Sequence, residues 1–209
     1  YQKDHAESFE AFVASNSLSD KPIVALLAGS RKQEIKDNLP MMLEAAKPFV
    51  DKYQLVLAGA PGIDPAYYQK YVGSDVPVKI IFGQTYRLLQ QAKAALVTSG
   101  TATLETALFY VPEVVCYKGN AISYHIAKRL IKVKYISLVN LIMNKPVVKE
   151  LIQNDLTAEN ISMELRSMLS DSKRQRALLE DYEELRFLLG NAGASDNAAS
   201  IIINDMKNQ

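Results

Sequence analysis

Residues 94–105 read Ala-Ala-Leu-Val-Thr-Ser-Gly-Thr-Ala-Thr-Leu-Glu and predict three elements in succession. The apolar run from Ala94 to Val97 is typical of a buried strand, and the small polar residues and glycine after it predict a tight turn. The apolar spacing from Leu104 to Phe109 predicts a helix after that turn. Such a unit directs free backbone N–H groups and the positive end of a helix dipole toward one point, where an anion can bind.

Other apolar runs on both sides of this unit predict further strands of one sheet. The first run does not alternate between polar and apolar residues, so we expect a strand buried on both faces, as in a parallel sheet. Together with residues 94–98, the predicted strands are Pro22–Ala28, Gln54–Ala58, Val78–Phe82 and Val114–Tyr117. Helical patterns separate them, which predicts repeated βαβ units and a Rossmann-like α/β domain with helices on both faces of a parallel sheet.

The chain divides into three predicted parts. Residues 1–20 hold a helix (residues 4–15) and a connector, residues 21–157 form the Rossmann-like domain, and residues 158–209 form a tail of helices. Four local predictions complete this outline: a break near Asn38 in the helix that contains Pro40, a helix over Ile122–Ile131, a sixth strand over Tyr135–Leu138, and a short helix over Lys149–Gln153. Asn140–Met143 is expected to be a loop.

Composition excludes several classes of function. A net charge of +1 argues against nucleic acid as the main ligand, because binding to a phosphate backbone normally needs a basic excess. Cys116 is the single cysteine, which fits a reducing compartment, and the two histidines have no neighbours at metal-ligand spacing. No apolar run approaches the roughly 20 residues of a membrane span. Because the sequence begins at Tyr1 without a methionine, we expect a piece of a longer protein.

The turn Ser99-Gly100-Thr101 is the strongest candidate binding element. Gly100 allows the backbone to approach an anion closely, and the two hydroxyls can add hydrogen bonds. An ordinary helix capped after a strand would show the same pattern. Glu105 lies one helical turn further on, where a carboxylate can accept both hydroxyls of a ribose or simply favour the dipole of its own helix.

A second candidate element, Gly29-Ser30-Arg31, follows the first strand. Because carboxyl ends of parallel strands share one edge, this turn and Gly83 after the third strand belong at the same edge as Ser99. Arg31 is either a fixed cation for a phosphate oxygen or a surface arginine paired with Glu34. The basic cluster formed by Lys128, Arg129, Lys132 and Lys134 is either a solvated face or a patch that meets anionic lipid.

With these motifs in place, the chain resembles the C-terminal half of lipid-A-disaccharide synthase, an inverting glycosyltransferase of the GT-B fold. The resemblance runs from about residue 22 to near residue 203. Five ordered segments carry it: Leu27–Arg31, Thr98–Glu105, Ala127–Lys132, Tyr135–Leu141 and Val148–Leu151.

The resemblance implies a reaction and a role for this half of the enzyme. UDP-2,3-diacylglucosamine donates its sugar to 2,3-diacylglucosamine 1-phosphate, which yields the lipid A disaccharide 1-phosphate and UDP. This half would hold the UDP of the donor through the turns containing Gly29, Ser30, Gly83 and Ser99-Gly100-Thr101. Glu105 would bind ribose, Asn140 would lie near the nucleotide, and Arg31 would stabilise the leaving group.

The same resemblance implies what lies outside these residues. The acceptor site and the catalytic base would belong to an amino-terminal domain, so we expect the 209-residue chain alone to be inactive. No metal or other cofactor is expected. The family would be cytoplasmic and peripheral to the inner membrane of a Gram-negative bacterium, with contact to membrane lipid and a homodimer through the C-terminal helices, whose tail we expect to be displaced or bound by a partner.

Two alternatives remain open at this point. A UDP-N-acetylglucosamine 2-epimerase shares the GT-B layout and a Ser-Gly turn followed by a helix with an acidic residue. A non-enzymatic subunit that binds nucleotide-sugars and works with a separate acceptor-binding chain would show the same turns.

Overall fold

The computed structural model describes residues 6–73, 75–119, 134–190 and 193–207 and confirms the predicted α/β architecture. In these ranges six strands form one parallel sheet in the order β3-β2-β1-β4-β5-β6. The strands are β1 (Ile23–Leu27), β2 (Gln54–Gly59), β3 (Val78–Phe82), β4 (Ala92–Thr98), β5 (Glu113–Tyr117) and β6 (Lys149–Ile152). Strand order reverses between β1 and β4, so these two central strands mark the switch point of the sheet.

Helices cover both faces of the sheet. They are α1 (Phe9–Ser15), α2 (Lys32–Ala46), α3 (Pro65–Gln69), α4 (Thr85–Gln91), α5 (Thr101–Leu108), α6 (Leu138–Met143), α7 (Ala158–Ser170), α8 (Ser172–Leu189) and α9 (Ala194–Lys207), with short 3-10 turns at Lys47–Phe49 and Gln153–Asp155. Strand β1 shows why both faces are needed: every side chain in it is buried. Val24 and Leu26 pack beneath α2 and α7, whereas Ile23 and Ala25 pack beneath α1 and α4.

The predicted break near Asn38 is wrong, because α2 is continuous from Lys32 to Ala46 with Pro40 inside it. A proline there removes the backbone hydrogen bond to the carbonyl of residue 36. Burial of Ile35, Leu39 and Met42 on the face toward the sheet offsets that loss. The helix ends instead at a 3-10 turn that contains Pro48.

The predictions for residues 135–153 are also wrong. Tyr135–Leu138 is not a strand, and Asn140 lies in α6 rather than in a loop. The sixth strand is β6, which pairs with β5 in parallel and lies where a short helix was predicted. Short apolar runs do not distinguish strand from helix by periodicity. The missed signal is Ser137, whose side chain accepts a hydrogen bond from the Asn140 N–H and caps α6.

The C-terminal helices α7 and α8 fold onto the sheet of their own chain. Ile161 and Leu165 of α7 lie in the largest core cluster beside α2, and Tyr182 and Leu185 of α8 pack against α5 and α6. The expectation of a displaced tail is therefore wrong for these two helices. Helix α9 differs, because its side chains at residues 201–203 are exposed isoleucines. A homodimer through the C-terminal helices stays a prediction.

Two further expectations fall partly or wholly outside the described residues. The predicted helix over Ile122–Ile131 lies outside them, as do Lys128, Arg129 and Lys132 of the basic cluster.

Helix α1 begins at Phe9, later than predicted, with the hydroxyl of Ser8 accepting from the Ala11 N–H as its cap. Within the described ranges, no helix is both long and apolar enough to cross a membrane.

Candidate functional site

A cleft of about 450 Å³ opens at the carboxyl edge of the sheet, beside the switch point between β1 and β4. The turns after β1, β2 and β4 form its walls. Its lining residues are Leu27, Gly29–Arg31, Glu34, Ala58–Pro61, Thr85, Thr98–Ala102 and Glu105. The structure thus brings together the two turns that the sequence singled out, at the edge where ligands of parallel sheets bind.

The turn after β1 forms one wall. Gly29 has a φ of 109°, a left-handed conformation that favours glycine, and it turns the chain from β1 into α2. The guanidinium of Arg31 is 82% exposed and forms an ion pair with Glu34 at 3.0 Å. Arg31 therefore lies on the cleft wall and pairs with Glu34 of the first turn of α2, while its contact with a phosphate stays a prediction.

The turn after β4 forms the opposite wall. At Gly100 no atom of the described residues beyond its immediate chain neighbours lies within 4 Å of the position that a Cβ would take, so the backbone there faces open space. Thr101 is the first residue of α5, and the unsatisfied N–H groups and dipole of that helix end are favourable for an anion. Ser99 uses its hydroxyl to donate a hydrogen bond to the Ile136 carbonyl at 3.1 Å, which fixes the turn against the segment before α6.

Glu105 is half-buried one turn into α5 and lines the same cleft. Among the described residues, its carboxylate has no hydrogen-bond partner, whereas the other acid of the cleft, Glu34, has three. A carboxylate without a partner has both oxygens available to accept hydrogen bonds from hydroxyl groups.

The third wall comes from the turn after β2, which the strand order of a parallel sheet places at this edge but whose residues were not among the predicted site residues. The backbone N–H of Ala60 donates to the hydroxyl of Tyr68 at 2.8 Å, which holds the turn after β2 beside the cleft. Burial raises the pKa of the Tyr68 phenol, so this hydroxyl is neutral. The run Gly59-Ala60-Pro61-Gly62 was the available signal, because it interrupts a strand at the same edge as Gly29.

Two predicted residues do not reach the cleft. Gly83 follows β3, but the cleft is lined there by Thr85. Asn140 is 1% exposed inside the domain. Its amide donates to the Val148 carbonyl and to Glu150, both at 2.9 Å, and its oxygen accepts from the Val148 N–H at 2.9 Å. The structure therefore gives Asn140 a role in holding α6 to β6 and places it outside the cleft lining, so that its contact with a nucleotide stays an untested prediction.

Glu150 is the centre of that interior network. Its carboxylate accepts hydrogen bonds from the N–H groups of Ile136 and Ser137 and from the Ser137 hydroxyl, at 2.7–3.2 Å. Because Ser99 is bonded to Ile136, this network supports the cleft wall from behind. In the ranges that the structure describes, no group of three or more His, Cys, Asp or Glu residues could hold a metal.

Comparison with known proteins gives a consistent family. The family model described as lipid-A-disaccharide synthetase matches residues 3–203. A lipid-A-disaccharide synthase from Syntrophus aciditrophicus is 40% identical over 193 residues, which are 90% of this chain and 50% of that protein. A lipid-A-disaccharide synthase from Nitrosococcus oceani is 38% identical over 186 residues, which are 86% of this chain and 47% of that protein. The chain thus spans about half the length of the curated relatives that it matches.

Solved structures show the same fold at low sequence identity. The Staphylococcus aureus MnaA–UDP co-structure aligns with a TM-score of 0.63 at 15% identity, over 98% of this chain and 50% of that one. The calicheamicin glycosyltransferase CalG4 aligns with a TM-score of 0.57 at 18% identity, over 87% of this chain and 42% of that one. These likenesses support the GT-B type of Rossmann-like domain.

Proposed function

The chain belongs to the lipid-A-disaccharide synthetase family, and we propose that it is the donor-binding half of such an enzyme. The whole enzyme would transfer 2,3-diacylglucosamine from its UDP derivative to 2,3-diacylglucosamine 1-phosphate, releasing UDP. The family match covers residues 3–203 and favours this glycosyltransferase over the epimerase alternative. The likeness to solved structures does not distinguish the two, because at below 20% identity it concerns the fold alone.

One observation carries the proposal: two turns with anion-binding geometry face each other across one cleft. The diphosphate of UDP would lie between Gly29–Arg31 and Ser99–Thr101, where backbone N–H groups and the α5 dipole meet it. Arg31 would pair with the diphosphate as negative charge develops on the leaving group. Glu105 would accept hydrogen bonds from the ribose hydroxyls, which fits its unengaged carboxylate.

The proposal assigns the other half of the reaction to residues outside this chain. Since the chain spans about half of its relatives, the acceptor site and the catalytic base would come from the remaining half. We therefore propose that the 209-residue chain binds UDP without transferring sugar. Both proposed substrates carry acyl chains, so the whole enzyme would meet them at a membrane surface.

Calorimetric titration with UDP and uridine tests this site. Wild-type protein is expected to bind UDP, and Arg31→Ala to bind it about ten-fold more weakly with uridine affinity unchanged, because the arginine contacts only phosphate. Glu105→Ala is expected to weaken UDP and uridine alike. Arg174→Ala removes an arginine paired with Glu164 outside the cleft and serves as the matched control. Unchanged UDP affinity in both cleft variants would refute the site.

A further inference from the structure

The turn after β1 holds a carboxylate of its own chain. One oxygen of Glu34, Oε2, accepts hydrogen bonds from the backbone N–H groups of Ser30 at 2.9 Å and Arg31 at 3.3 Å. The other oxygen, Oε1, accepts from the Arg31 guanidinium at 3.0 Å. These three donors are the ones that the proposed function assigns to a phosphate group, so Glu34 uses the phosphate-binding groups of this turn.

Gly29 is shaped around this carboxylate. A Cβ on residue 29 would lie 2.6 Å from Oε2 and 2.6 Å from the Cβ of Glu34, closer than such atoms approach in proteins. Only glycine therefore allows Glu34 to lie over the backbone of the turn. The lack of a side chain at Gly29 therefore leaves room over the turn for the Glu34 carboxylate.

The charge balance of the cleft gives this contact a consequence for binding. Among the described residues that line the cleft, Arg31 is the only cation, and Glu34 and Glu105 are the only acids. While Glu34 neutralises Arg31, the lining therefore carries a net charge of −1. The side chains of this lining therefore offer an entering diphosphate no net positive charge unless Glu34 moves away from the turn.

Glu34 is placed so that it can leave. It belongs to the first turn of α2, at the rim of the cleft, and its side chain is 22% exposed. Rotation about its own side-chain bonds takes the carboxylate into solvent without a change in the backbone of α2. The ion pair it would give up is solvent-exposed on the arginine side, and such pairs contribute little to stability.

We propose that Glu34 is a built-in competitor of the donor's diphosphate. In the free protein its carboxylate occupies the anion position of the Gly29–Arg31 turn. When the diphosphate binds, Glu34 leaves, and Arg31 and the two N–H groups pass to a phosphate. The exchange lowers affinity for UDP and favours its release after transfer. This inference rests on the proposed function, because it assumes that the anion is the diphosphate of a UDP-sugar.

The replacement Glu34→Gln tests the inference in the full 209-residue chain. Glutamine keeps an oxygen that accepts from the Ser30 N–H but removes the charge that competes with phosphate. Calorimetry is expected to show UDP binding about five-fold tighter than in wild type. Uridine has no phosphate, so its affinity is expected to stay unchanged. Glu34→Ala, which also removes the hydrogen-bond acceptor, is expected to gain at least as much.

Glu164→Gln is the matched control, since it breaks an ion pair with Arg174 outside the cleft and is expected to leave UDP affinity unchanged. If Glu34→Gln binds UDP equally or more weakly while uridine binding is unchanged, Glu34 positions Arg31 and the inference is overturned. A wild-type chain and variants that all fail to bind UDP would overturn the proposed function itself, together with the inference that rests on it.

Discussion

The carboxylates of Glu34 and Glu150 each accept hydrogen bonds from two backbone N–H groups, but one lies at the rim of the cleft and the other inside the domain. Glu34 holds the turn after β1 at the rim of the cleft, where Arg31 is exposed to solvent. Glu150 holds the segment before α6 in the interior, together with Ser137 and the buried Asn140. The rim contact involves groups that a ligand can replace, whereas the interior contact joins α6 to β6.

The difference between the two networks shows where a polar network stabilises the fold and where it serves a ligand. Interior donors and acceptors that lose their partners have no water to replace them, so the loss is costly. At the rim, water or a phosphate can take the place of a lost carboxylate. The same chemical pattern therefore predicts a structural role at Glu150 and an exchangeable role at Glu34.

The largest expected effect is on stability, for Asn140→Ala. This change leaves the N–H and carbonyl of Val148 without their side-chain partners and should lower the free energy of unfolding by about 2–4 kcal/mol. Glu34→Ala removes a similar number of hydrogen bonds at the rim and should cost about 1 kcal/mol or less. Urea denaturation followed by circular dichroism measures both variants.

Equal losses in the two variants would contradict the distinction between an interior and an exchangeable network. A mild loss in Asn140→Ala combined with weaker UDP binding would contradict it further. Asn140 would then belong to the ligand site after all.

A third carboxylate, Glu113, extends the comparison because, in the part of the chain that the structure describes, it is buried without a hydrogen-bond donor. It is 1% exposed, and both of its oxygens lack a hydrogen-bond partner among the described residues. Burial raises the pKa of Glu113 well above its ordinary value, so the folded state keeps its proton. Burial is also the main cause of the raised pKa values of Cys116 and Tyr182.

The sign of the pH effect follows from this proton. The unfolded chain ionises Glu113 near pH 4.3, whereas the folded chain does not, so unfolding releases a proton above that pH. The group therefore lowers the free energy of unfolding by up to about 1.4 kcal/mol per pH unit as pH rises toward the folded pKa. Glu113→Gln should remove this slope. The free energy of unfolding of the variant, relative to that of wild type, should therefore increase between pH 5 and pH 8.

Denaturation of wild type and Glu113→Gln across that pH range measures the slope directly. Parallel pH profiles for the two proteins would show that Glu113 is ionised in the folded state. A partner for the carboxylate, comparable to those of Glu34 and Glu150, would then have to exist.

The sequence predicted the first half of the domain well, because its strands are long apolar runs that each end at a turn. It failed at α2 and between residues 135 and 153, for two physical reasons. Packing of Leu39 and Met42 against the sheet outweighs the local effect of Pro40. Strand β6 has only four residues. Its parallel pairing with β5 makes it a strand, and a local sequence pattern does not encode that pairing.

The candidate site was predictable in position and only partly in detail. Ser99–Thr101 and Gly29–Arg31 lie together because carboxyl ends of parallel strands share an edge. The contributions of Ala60 and Thr85 depend on how neighbouring turns curve toward the cleft. Glu34 can occupy the anion position only because Gly29 adopts its left-handed φ. A glycine in the sequence permits that φ but does not predict it.

A crystal structure of this chain with UDP bound would show whether the cleft between β1 and β4 binds the diphosphate. Our expectation is a diphosphate between the Gly29–Arg31 and Ser99–Thr101 turns, with the ribose hydroxyls on Glu105 and with Arg31 bonded to phosphate. A diphosphate bound away from the edge between β1 and β4, or one that touches neither turn, would contradict it.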